Sequence, residues 1–149
     1  MLHTPIYDVR GGRAYCGPTA IAAVTGAPIS IIRDVIRAQI GTKANGHAMP
    51  VIGISPTTLV KTMQVLGWEV VATTDCQTSS RVYRLDDFLE LVQMGTVKGP
   101  HIVWVTGHFY AVDDDEICDT YSKIPLEIHR FKRGRMRWVK RWWKFEKPE

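Results

Sequence analysis

Residues 15–26 read YCGPTAIAAVTG, and the backbone demands of that run set where a first helix starts and stops. Gly17 and Pro18 suit a first helical turn, because the N–H that proline lacks has no intrahelical partner there anyway. The body from Thr19 to Val24 is small and almost wholly apolar, as in a helix buried on every side, and Gly26 supplies a left-handed stop. Cys16 therefore opens a helix, where unpaired N–H groups and the positive end of the helix dipole favour a thiolate. A small buried thiol is the competing account of a free cysteine, so position alone does not assign it.

Working outward, SIIRDVIRAQIG (residues 30–41) places Ile31, Ile32, Val35, Ile36 and Ile40 on one helical face and Arg33, Asp34 and Arg37 on the other, predicting a half-exposed second helix. A loop rich in Gly, Asn and Pro occupies residues 41–53. Ser55 and Pro56 then match N-cap and first-turn preferences ahead of Leu59, Val60, Met63 and Leu66, with a stop at Gly67. WEVVAT (68–73) predicts a strand, and residues 86–94 a fourth helix capped by Asp86 and stopped at Gly95. From His101 the pattern changes. HIVWVTGHFYAV (101–112) and EICDTY (116–121) are rich in β-branched and aromatic residues and predict an antiparallel hairpin about the acidic turn at 113–115. A further strand pair, 125–132 and 135–145, would turn at Gly134. Helices first and sheet last give the α+β class.

The chain has 149 residues, 45% apolar and 23% charged, which predicts a single domain over residues 1–149 with one globular core. No apolar run approaches the ~18 to 20 residues needed to span a bilayer, and MLHTPIYDVRGG lacks a signal peptide's basic and apolar regions, so a cytoplasmic protein is expected. Cys16, Cys76 and Cys118 are an odd set without repeated spacing, unsuited to a disulfide framework or a four-cysteine zinc site. The acids at 113–116 lack the glycine and terminal Glu of a calcium loop and predict a solvated turn. Neither a cofactor nor a metal is expected.

Charge is distributed unevenly. Residues 130–149 carry nine Lys/Arg against two Glu, whereas residues 1–129 carry ten against thirteen acids. The segment at about 129–149 interleaves its cations with Trp138, Trp142, Trp143 and Phe145, a composition suited to polyanion contact with base stacking or to an anionic membrane surface. The alternative is an amphipathic edge strand whose aromatics pack inward while its cations keep the edge unpaired.

A cysteine nucleophile needs a base and a group to orient that base. His3 is terminal, His47 lies in the glycine-rich loop and His129 is near the basic segment. That leaves His101, at a strand start where packing or capping is expected, and His108, mid-strand beside Gly107. A two-residue turn at Asp113 and Asp114 would pair residues whose numbers sum to 227 and set His108 opposite Asp119 within carboxylate reach, whereas a three-residue turn shifts the register by one and leaves Asp119 a turn or strand-end acid.

Together, YCGPTAIAAVTG and, some ninety residues later, GHFYAVDDDEICDT resemble the papain-like cysteine peptidase superfamily, above all its small compact members in bacteria and bacteriophages. The resemblance implies a cysteine-opened helix packed on a C-terminal antiparallel sheet, with Cys16 as nucleophile, His108 as base and Asp119 as orienting acid. It also implies a thiol protease acting on a protein or peptide through an acyl-enzyme, in a host cytoplasm or with a virion if phage-encoded. Many relatives carry a Gln about six residues before the Cys to hold the oxyanion. Here that position is Arg10, either a substitute donor or a surface arginine, leaving the Cys16 backbone N–H as the other donor. The competing function is a catalytically inactive module of the same fold that engages nucleic acid or a host protein through the 130–149 segment.

Overall fold

The computed structural model describes residues 1–9, 15–41, 53–78 and 82–149. Three helices come first: α1 (Cys16–Thr25), α2 (Ile29–Ile40) and α3 (Pro56–Val65). Strand β1 (Glu69–Asp75) and helix α4 (Leu85–Gln93) follow. The C-terminal part holds β2 (Pro100–Val105), β3 (His108–Asp113), β4 (Glu116–Cys118), β5 (Leu126–Glu127), a 3₁₀ turn at Ile128–Arg130, and β6 (Val139–Glu146). All six strands join one antiparallel sheet in the order β1-β6-β2-β3-β4-β5. The fold is thus α+β, N-terminal helices against a C-terminal antiparallel sheet.

Strand alternation divides the core in two. Ile102, Phe109, Ala111, Cys118, Trp143 and Phe145 meet the first three helices on one face. Val103, Val105, Tyr110, Val112, Ile117 and Trp142 meet α4 on the other. Every residue of β3 is buried, as in a strand covered on both faces. Helix α1 is the innermost element, with Ala20, Ile21, Ala22 and Ala23 fully buried and Gly26 closing it in the left-handed region at φ 76°. Helix α3 starts as its sequence predicts, the Ser55 side chain accepting from the Thr58 N–H at 3.1 Å.

Several expectations are corrected. Residues 101–112 form two strands, because Thr106 and Gly107 make a turn with Gly107 at φ 74°, and His108 opens β3 instead of standing mid-strand. The next turn uses Asp114, at φ 52°, and Asp115: the pairs are Ala111↔Cys118 and Asp113↔Glu116, a register two residues away from the expected one. Its acids are not merely solvated, for Asp113 pairs with the Met1 ammonium at 2.8 Å and Glu116 accepts from the Leu2 N–H at 2.9 Å. Strand β6 is not an edge. It lies between β1 and β2, and residues 125–132 yield only two-residue β5 and the 3₁₀ turn, pairing with β4 and not with β6. Polarity was the misleading signal: Lys140 sits over the Trp104 ring and Arg141 is neutralised by Asp75 at 2.8 Å, so β6 carries its cations inside the sheet order. Helix α4 begins one residue early, the Asp87 carboxylate accepting from the Arg84 N–H. In α2, Ile31 and Ile40 face solvent while Ile29, Ile32 and Ile36 pack. The expected 41–53 loop, with His47, falls mostly outside the described residues, as does Arg10.

Trp142 and Trp143 are 8% and 5% exposed, on opposite faces of β6. Trp143→Ala should lower unfolding free energy in urea by about 3–5 kcal/mol, as for other buried large-to-Ala changes. An unchanged midpoint would place the ring at the surface.

Candidate active site

Cys16 is the first residue of α1, half-buried, and α1 packs against β3, whose first residue is His108. The small residues of α1 allow this close approach of helix to strand. Burial disfavours the Cys16 thiolate, but a hydrogen bond and charge from His108, followed by the N–H groups of Phe109 and Gly17, outweigh it and hold the thiol below its ordinary value. Burial likewise works against the His108 imidazolium. The Asp119 carboxylate and then Cys16 more than offset that, raising its pKa. The two shifts, one down and one up, favour a thiolate beside an imidazolium.

His108 Nε2 donates to Asp119 Oδ2 at 2.9 Å, which leaves Nδ1 as the nitrogen for Cys16. Asp119 is fully buried and His108 only 5% exposed. The carboxylate is held as firmly as the ring, Oδ1 accepting from the backbone N–H groups of Tyr121 at 3.1 Å and Ser122 at 3.0 Å. A tight turn just past β4 makes this possible, with the Lys123 N–H returning to the Asp119 carbonyl at 2.9 Å. In the observed register Asp119 continues opposite Tyr110, and His108 is its diagonal neighbour on the same face. A register change of two keeps every side chain on its side of the sheet, whereas a change of one would have parted the pair.

The structure therefore brings Cys16, His108 and Asp119 together. Two aromatics that the sequence analysis did not single out complete the surroundings of the imidazole. Tyr110 meets it edge-on at 4.6 Å between ring centroids, and Tyr121 lies tilted at 5.3 Å. The period-two alternation of β3 carried the signal for Tyr110, two residues beyond His108; Tyr121, in the turn after β4, had no comparable periodic mark. The other candidates separate from the site. His101 Nδ1 donates to the Gly99 carbonyl at 2.8 Å, with its ring against Phe88, the packing role expected of it. Cys76 and Cys118 are buried; burial raises both thiols, Cys118 to about 12.

Among solved structures, the chain is similar to a double glycine motif protease from an AMS/PCAT transporter, crystallised in complex with the leader peptide. The TM-score is 0.50 at 16% sequence identity, over 99% of this chain and 94% of that one. The shared feature is the papain-like fold. No protein-family model and no curated protein matches the chain. Among the described residues no helix is long and apolar enough to cross a membrane.

Cys16 should react with iodoacetamide faster than Cys76 or Cys118 at neutral pH. In His108→Gln, which keeps a donor for Asp119, the pH midpoint of Cys16 alkylation should move upward, because burial remains while the lowering influence of the imidazole is gone. Liquid chromatography with mass spectrometry resolves the three thiols, and equal labelling, or an unshifted midpoint, would contradict the arrangement.

Proposed function

We propose that the chain is a cysteine hydrolase, a thiol protease that cleaves a peptide or isopeptide bond through an acyl-enzyme, built as one papain-like domain over residues 1–149. The observation that carries this is the continuous contact from a helix-opening thiol through a buried imidazole to a fully satisfied carboxylate. Cys16 is the nucleophile, His108 the acid and base, and Asp119 the group that fixes ring orientation and stabilises the imidazolium.

The cycle balances on these residues. The Cys16 thiolate adds to the substrate carbonyl carbon, and the carbonyl oxygen takes the negative charge. The Cys16 backbone N–H, at the first helical position and without an intrahelical partner, is the candidate donor to that oxyanion; Arg10 is the second. As the tetrahedral species collapses, the imidazolium gives its proton to the departing amine and a thioester forms. Water then attacks the thioester while His108 takes its proton, and the thiolate leaves with the acid product free. The leader peptide bound to the similar protease supports a peptide as substrate. Placement in a bacterial or bacteriophage setting, with the thiols kept reduced in a cytoplasm, follows the family resemblance and the three free cysteines.

The inactive-module alternative loses support because Trp142 and Trp143 lie in the core, and the half-exposed Trp138 has the Arg84 guanidinium over its ring. Digestion of a mixed peptide library, followed by mass spectrometry, tests the proposal. Cys16→Ala should abolish cleavage, and His108→Gln should slow it by about 10²- to 10⁴-fold, the range for loss of a general acid–base group. Cleavage that persists in Cys16→Ala would refute the assignment.

A further inference from the structure

We propose that the loop at residues 130–137 makes this site selective for acidic peptides, with Arg133 receiving a substrate carboxylate close to the scissile bond; the inference rests on the hydrolase assignment above. Arg133 is exposed, and its guanidinium lies 4.1 Å from the centroid of the Tyr121 ring. Tyr121 in turn is 5.3 Å from the His108 ring. The two contacts in series keep the guanidinium within two or three residues of an extended substrate lying over His108, at ~3.3 Å per residue.

The loop is a fixed shelf. Phe131 is buried and meets Tyr110 edge-on at 5.6 Å. Gly134, at φ 78°, passes so close to the Tyr110 hydroxyl that a Cβ would collide with it, and Tyr110 itself abuts His108. Arg135 secures the shelf from beneath: its Nη1 donates to the carbonyls of Ile128 and Phe131, and its Nε pairs with Asp86 at 2.7 Å. The charge of Arg135 is thereby neutralised. Arg130, Lys132, Arg133 and Arg137 have no ion-pair partner among the described residues. Asp119, the acid on this side of the site, is buried with both oxygens already bonded. Among the described residues, Arg133 therefore brings a cation without an ion-pair partner to the Tyr121 side of His108.

Chemistry favours a carboxylate over a nucleic-acid strand as the occupant. A guanidinium presents two parallel donors that match a carboxylate, and its position on the Tyr121 ring limits its orientations. Strand binding would call for stacking rings. Trp142 and Trp143 are in the core, and the half-exposed Trp138 has the Arg84 guanidinium over it at 4.2 Å.

The test compares alkylation of Cys16 in the full chain by iodoacetate, which is anionic, and by iodoacetamide, which is neutral. Arg133→Glu should lower the iodoacetate-to-iodoacetamide rate ratio by about tenfold, and Arg133→Gln by about threefold, with both differences shrinking as salt rises from ~20 mM to ~300 mM. The iodoacetamide rate should stay within about twofold, showing that the variants retain the nucleophile. In peptide-library digests, Asp and Glu should be enriched within three residues of bonds cut by the wild type, and that enrichment should vanish in Arg133→Glu. An unchanged alkylation ratio, or cleavage without acidic preference, would overturn the inference and leave the hydrolase assignment standing. A Cys16 unreactive to both reagents would remove the assignment and this inference with it. Protection of Cys16 by a short oligothymidylate at physiological salt, where a short polyglutamate gives none, would also overturn it in favour of nucleic acid.

Discussion

The packing of α1 on β3 is the constraint from which the rest of the structure follows. A helix whose body is alanine and isoleucine, with Ala20 to Ala23 free of solvent, can lie nearer a strand than one with bulky side chains on every face. That proximity delivers the Cys16 sulfur to the start of β3, where the Phe109 N–H and the His108 imidazole meet it. A helix displaced outward would break both contacts at once, because each belongs to the same two residues of β3. Core packing tolerates little change in volume before elements shift, so the reactivity of the thiol is a property of the core as much as of the site.

Burying the imidazole opposes its ionisation, and the structure offsets that cost by giving the ring defined partners. The carboxylate of Asp119 accepts from one ring nitrogen and two backbone N–H groups. Removing the ring partner from such a group leaves a buried charge uncompensated, at a cost of about 3–5 kcal/mol in comparable pairs. The tight turn over residues 119–123 therefore serves chemistry and stability together. Tyr110 and Tyr121 pack against the ring that this carboxylate orients, so the imidazole is restrained by a hydrogen bond at one nitrogen and by aromatic contacts around its plane.

Much of this was legible in the amino-acid sequence, for reasons that can be traced residue by residue. Helix starts and stops were written in Gly17, Pro18, Gly26, Ser55 and Pro56, because proline and glycine restrict the backbone locally. The convergence of the three candidate residues, Cys16, His108 and Asp119, was legible because a helix-opening cysteine and a His and Asp on one face of a hairpin depend on short-range geometry. The hairpin register was two residues off, yet the face survived, since strand side chains repeat every two residues. The position of β6 was not legible. Its cations suggested an edge, but pairing partners 34 to 77 residues distant decide strand order, and Asp75 and Trp104 absorb charges that looked solvent-bound. The turn at Thr106 and Gly107 was hidden inside a continuous apolar run, where only a glycine marked the break. Tyr121 and Arg133 acquire meaning only once the turn after β4 and the 130–137 loop are seen to converge.

In the proposed mechanism Cys16 and His108 form a thiolate–imidazolium pair held by Asp119, with the proton on the ring. A ¹⁵N nuclear magnetic resonance titration of the His108 ring, in the wild type and in Cys16→Ser, tests it most directly. Asp119 and the thiolate both raise the imidazolium pKa, so wild-type His108 should remain protonated above the ordinary histidine value of 6.5, and replacing the sulfur by a neutral hydroxyl should lower its midpoint. Coincident titration curves for the two proteins, or a neutral wild-type ring well below that value, would contradict the pair.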